Sequence, residues 1–187
     1  MSRRARRIAA LALLGVAMTG CTTAMAGQPV PVEDVVDSQP RPERPREIRL
    51  DGKNPCTLLP ESDWARLHID RPTSPKVREA YRSPGCHFHS NAAAINLTTV
   101  VTEGFSAWFD GTRRTVVADA EPVSGFPAIE LTLDFDDLGC EVAVDTADGQ
   151  YLLATVLVYR SQADRVPERC EYAHQVAESA MSTLVAP

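Results

Sequence analysis

Four cysteines beyond residue 50, Cys56, Cys86, Cys140 and Cys170, constrain this fold more than any other feature. An even number of cysteines in an exported chain reads as a disulfide framework, because the compartment outside the cytoplasm is oxidising. Four admit three pairings, and the count does not select among them. Their contexts differ. Cys56 opens a short helical segment, Cys86 starts the first strand, Cys140 starts a hairpin, and Cys170 lies in the first turns of the last helix. Pairing neighbours, 56 with 86 and 140 with 170, fastens a helix to a nearby strand in each case. A crossed pair such as 56 with 140 asks the first helix to lie beside the last hairpin, which the short local connections do not suggest. Zinc is the rival use of four cysteines, but the chain has no C-x-x-C pair.

Export is read from the N-terminus. Arg3, Arg4, Arg6 and Arg7 form a basic stretch, and Ile8 to Met18 follow as an uncharged run of 11 residues. That is about half of the ~20 residues a bilayer-spanning helix needs, so residues 1–20 read as a signal peptide. Met18-Thr19-Gly20-Cys21 then looks like a bacterial lipobox, in which the Cys21 sulfur is acylated and the chain is cut before it. Leucine is usual where Met18 stands, and ordinary cleavage after Ala24-Met25-Ala26 is the alternative. Two or more acyl chains on one residue give stable anchoring. The expected location is the cell membrane, lipid-anchored on its extracytoplasmic side, with Sec and twin-arginine export both open. Residues 21–50 carry Pro29, Pro31, Pro40, Pro42 and Pro45 among polar side chains and read as a flexible, extended tether of low order.

The 187 residues suffice for one domain besides these segments, and residues 51–187 are assigned to it. The formal net charge is −6, but the four arginines of the leader stand apart, so the rest of the chain carries a net −10. So acidic a surface repels phosphate backbones and excludes nucleic acid as a natural partner. Leu58 to Leu67 reads as a short helix with Trp64 and Leu67 inward and Pro60 in its first turn. Pro72, Pro75 and Pro84 mark loop. Strands are expected at Cys86 to Ser90, Ala94 to Thr102, Thr115 to Ala118 before a Pro122 turn, and Ala128 to Phe135. Cys140 to Asp145 and Tyr151 to Tyr159 flank the Asp148-Gly149 hairpin signal. Pro167 to Leu184 repeats small and apolar residues at helical spacing. The fold class is α+β: an antiparallel sheet flanked by a short N-terminal helix and a long C-terminal one, with two disulfides.

This pattern resembles a known family. Asn54-Pro55-Cys56-Thr57-Leu58-Leu59 resembles the opening motif of the domain-of-unknown-function 3558 family, lipoproteins of actinobacteria. Gly85-Cys86-His87-Phe88 resembles its second cysteine, and Gly139-Cys140-Glu141-Val142, the Asp148-Gly149 turn and Cys170 with its Ala-rich helix resemble its C-terminal half. The likeness covers about residues 51–185. It implies an envelope lipoprotein with a helix-flanked antiparallel sheet, similar to the Mog1/PsbP-like fold, and it carries over no catalytic residues.

Candidate chemistry is sparse. His87 and His89 stand two apart on an expected strand, so both face one side, where two imidazoles suit zinc or copper; a solvated polar face is the plainer reading. Asp134, Asp136 and Asp137 lack the spacing of a calcium loop. No metal or other cofactor is assigned. No G-x-S-x-G or S-x-x-K motif is present, and four oxidised cysteines leave no thiol nucleophile. Phe105, Trp108, Phe109 and Phe126 are the candidate ligand or partner surface, with core packing as the alternative. The expectation is a non-catalytic binding or interaction module for an envelope protein or small ligand. A structural or delivery role in an envelope complex, or an enzyme acting on envelope polymers, are the alternatives.

Overall fold

A computed structural model describes residues 42–72, 75–113, 115–132 and 137–187. Alternation of apolar and polar residues builds most of it. The described residues form eight strands in one antiparallel sheet: β1 (Ile69–Pro72), β2 (Lys76–Arg78), β3 (Ser83–Ser90), β4 (Ala93–Val100), β5 (Val116–Val123), β6 (Phe126–Thr132), β7 (Gly139–Ala147) and β8 (Gln150–Val158). Their order is β1-β3-β4-β8-β7-β6-β5, and β2 also pairs with β3, beside β1. The β3–β4 hairpin thus joins the β5–β8 meander through the β4–β8 ladder, where Ala93 to Val100 pair without a break with Val158 to Tyr151. Every strand has its neighbour running the opposite way.

One face is covered by a helix, α2 (Arg169–Val185). Glu168 caps it, its carboxylate accepting from the Cys170 and Glu171 amides at 2.8 and 3.3 Å. Tyr172, Ala173, Val176, Ala177, Ala180 and Met181 form its buried stripe, and the three alanines let the helix seat closely on the sheet. Below it lie Cys86, Phe88, Ile95, Leu97, Val142, Val144, Leu152, Ala154 and Val156. The Tyr172 hydroxyl, its pKa pushed up to about 12 by burial, donates to the Leu67 carbonyl at 2.6 Å. Glu178 holds the β5–β6 turn, accepting from the Ser124 amide and hydroxyl, both at 2.8 Å.

The disulfides are Cys56–Cys86 and Cys140–Cys170, the neighbour pairing, each with Cα atoms 5.1 Å apart. The first fastens a 3-10 turn, Pro55–Thr57, to β3; the second fastens α2 to β7.

Several expectations need correction. The helix expected over Leu58 to Leu67 is a 3-10 turn followed by one short helix, α1 (Glu61–Trp64). Pro60 stays extended and cannot donate, so the helix starts only after it, and His68 at φ 51° ends the segment. Leu67 is buried as expected, and Trp64 packs partly buried against the same core. The Pro72 to Pro84 stretch is not all loop: β1 and β2 are short strands on the edge of β3, where missing amide donors are tolerated. Pro122 lies inside β5, the other edge strand, and the chain turns instead at Ser124-Gly125, both at positive φ. Residues 133–136, which include the expected strand end at Leu133 and Phe135 and the aspartates 134 and 136, lie outside the described residues.

The tether boundary at residue 50 also moves. Ile48 and Leu50 are buried in the helix-side core. The Ile48 amide donates to the Thr146 carbonyl and the Leu50 amide to the Gln150 side chain, each at 2.7 Å. Arg44 reaches Asp145 at 2.7 Å and Asp148 at 2.5 Å, at the β7–β8 turn. Residues 44–50 therefore belong to the domain, because two apolar side chains two apart gave them something to bury. Residues 1–41, with the signal segment and Cys21, lie outside the described residues.

Candidate functional site

Among the described residues, no α-helix lies on the second face of the sheet. Parity assigns it Glu141, Ala143 and Asp145 of β7, Tyr151, Leu153, Thr155 and Leu157 of β8, and Ile129 and Leu131 of β6. The chain covers part of this face on its way from β4 to β5, through a 3-10 turn, Phe105–Trp108. Phe105 and Trp108 are buried there with Tyr81, Tyr151 and Leu153. Tyr151 is the hub, edge-on to Trp108 at 5.9 Å and to Phe105 and Tyr81 at 6.5 Å each.

An ion pair holds this cover in place. The Arg113 Nε and Nη2 atoms donate to the two oxygens of Glu103 at 2.8 and 2.9 Å. Nη2 also donates to the Ala80 carbonyl at 2.8 Å, and the guanidinium lies 4.5 Å from the centre of the Tyr81 ring. The Tyr151 hydroxyl donates to Glu103 at 2.6 Å. The Glu103 hydrogen bonds push the Arg113 pKa up, and burial, reinforced by the Glu103 bond, does the same to Tyr151. A charged strut thus ties the loop to the sheet and to the Tyr81 turn.

Beside this cover the face is open, and a cavity of about 530 Å³ lies there. Tyr81, Trp108, Arg113, Leu131, Glu141 and Thr155 are among its walls, and Leu157, 40% exposed, stands in its lining. Glu141 sits in a register row that runs across the sheet as His87, Asn96, Thr155, Glu141 and Leu131. Its carboxylate accepts from the Thr155 hydroxyl at 2.8 Å and, weakly, from Tyr81 at 3.5 Å. Burial pushes the Glu141 pKa up, against the pull of Thr155 and the more distant Arg78. Burial, followed by the charge of Glu141, raises the Tyr81 pKa as well. The Trp108 indole nitrogen is buried without an acceptor among the described residues. A hollow that joins apolar side chains to a carboxyl group and the Tyr81 and Thr155 hydroxyls has the composition of a small-molecule site.

The four aromatics expected to share one surface do not. Phe105 and Trp108 come together on the open face, and Phe109 packs on Phe105 at 5.7 Å while 38% exposed. Phe126, 1% exposed, points the other way, into the core under α2. The reason is parity: Phe126 shares the face of Ala128, not that of Ile129 and Leu131. The histidine pair does share one side, with ring centres 5.2 Å apart, and His87 Nδ1 lies 3.1 Å from the Asn96 oxygen. No group of three or more potential metal ligands is found among the described residues. Asp137 meets Arg160 at 3.2 Å, both exposed.

Tyr81, Arg113, Glu141 and Thr155 were not anticipated as a site. One signal for Glu141 was available: it falls in line with Ala143 on a strand whose other face, Cys140, Val142 and Val144, is wholly apolar. A carboxylate in a strand buried on both faces faces a cavity or a partner.

No curated protein and no solved structure matches this chain. Residues 16–183, most of its length, match the family described as "Protein of unknown function (DUF3558)". The chain belongs to the DUF3558 family.

Proposed function

We propose that this protein is an envelope lipoprotein, fastened through Cys21, whose domain is a non-catalytic binding module holding a small amphipathic molecule on the helix-free face of its sheet. The observation that carries the reading is the cavity of about 530 Å³ between the Phe105–Trp108 turn and the β6–β8 strands. It is large enough for a drug-sized ligand. Its walls supply apolar surface from Leu131 and Leu157, rings from Tyr81 and Trp108, and orienting polar atoms from Glu141 and Thr155. The anchor rests on the basic stretch, the short apolar run and the Met18-Thr19-Gly20-Cys21 motif.

Two measurements test the two halves. A neutral fluorescent probe, N-phenyl-1-naphthylamine, brightens on binding wild type, and Leu157→Trp, which places a bulky ring in the cavity from a partly exposed position, abolishes the effect. Equal brightening in both proteins refutes the pocket. Cys21→Ser moves the protein from the membrane fraction to the soluble one, and retention of the variant after a high-salt wash refutes the anchor.

A further inference from the structure

We infer that the ligand of this cavity is a cationic amphiphile: a protonated amine that pairs with Glu141, on an apolar body that lies along Trp108 and Leu131. The inference rests on the pocket reading above and specifies what the pocket takes.

Glu141 is the acid of the cavity, and its hydrogen-bond partners are two neutral hydroxyls, Thr155 at 2.8 Å and Tyr81 at 3.5 Å. Among the described residues no cation lies within ion-pair distance of it. Arg113, which lines the same cavity, spends its guanidinium on both oxygens of Glu103 and on the Ala80 carbonyl. Arg78 and Arg113 act on Glu141 through space, without a contact. A half-buried carboxylate with no cation in contact is costly, and a cation delivered by a ligand reduces that cost.

The walls agree with a cation. Tyr81 already takes a guanidinium against its ring at 4.5 Å, and Trp108, the better ring for such contacts, lines the cavity. The chain outside its leader bears a net −10, which raises the local concentration of cations and repels carboxylate or phosphate ligands.

The experiment uses the full-length protein and three probes sharing one alkyl body: decylammonium, decanol and decanoate. Each competes with N-phenyl-1-naphthylamine. Decylammonium is expected to displace the probe at a concentration about tenfold below that of decanol, with decanoate weakest. Glu141→Gln, which keeps the acceptor for Thr155 and removes the charge, should erase the tenfold advantage and leave decanol within about twofold of wild type. Equal potency of decylammonium and decanol in wild type, or an advantage that survives Glu141→Gln, overturns the inference and leaves the pocket standing. Probe that never binds wild type removes the pocket itself. Thermal unfolding of the variant separates loss of charge from loss of fold.

Discussion

The two faces of the sheet are made by the same strands and end in opposite conditions. On β8, Leu152, Ala154 and Val156 point under α2 and are fully buried, while Thr155 and Leu157, one residue out of phase, line a cavity. The cover makes the difference. A 17-residue helix with alanines on its inner stripe closes one face and is fastened by Cys140–Cys170. A loop with four residues of 3-10 helix covers part of the other and is fastened by Glu103 and Arg113. A regular element can match a pleated surface along its whole length. An irregular one matches it at a few aromatic anchors and leaves space between them.

Four experiments break or sharpen that contrast. Removing the Cys140–Cys170 bond by a double serine substitution should have the largest effect. It closes a loop of about 31 residues, so the chain-entropy model puts the cost at about 3.5–4 kcal/mol, readable by urea unfolding. A loss below about 1 kcal/mol would mean that helix packing alone closes this face. Next, Leu152→Ala should cost about 3 kcal/mol and Leu157→Ala, on the same strand but the open face, within about 0.5 kcal/mol. Similar costs for the pair would erase the distinction between the faces. Tyr172→Phe removes the hydroxyl that reaches the Leu67 carbonyl, and should cost about 1 kcal/mol.

The smallest effect has the opposite sign. Burial raises the Glu141 pKa, so the folded protein holds this proton more tightly than the unfolded chain does. The stability this group contributes is present below the unfolded carboxylate range and is lost as pH rises through the folded value. Wild type should therefore lose stability relative to Glu141→Gln as pH rises above the ordinary carboxylate range, with the two converging in acid. Parallel curves above that range would show Glu141 to be solvated like a surface carboxylate.

The closed face was far more legible in the sequence than the open one. Local signals wrote it: the Asp148-Gly149 hairpin, the Ala-rich helix and the disulfides between neighbouring cysteines. The edges were misread because proline indicates loop in the middle of a sheet but is tolerated on an edge strand, as in β1 and β5. Ile48 and Leu50 were misread because two apolar residues after a proline-rich run are too few to show a period. The site was illegible for a different reason. Glu141 and Thr155 meet across the β7–β8 hairpin, but Tyr81 and Arg113 come from two connections distant in sequence, and no local pattern places them on that face. Grouping aromatics by kind placed Phe126 with Trp108, whereas the pleat sends them to opposite sides of the sheet.

The Arg44 clamp ties the first described residues of the domain to one end of a hairpin. Arg44 grips Asp145 and Asp148 at the turn end of the β7–β8 hairpin. Gly139, Glu141 and Leu157, at the cavity, lie toward the other end of the same two strands. Some seven residues of strand separate these ends, on the order of 20–25 Å. A pull on the N-terminal segment is therefore taken up by the turn and by the Ile48 and Leu50 hydrogen bonds, outside the cavity walls. The ribbon of β7 and β8 thus carries the clamp at one end and the hollow toward the other.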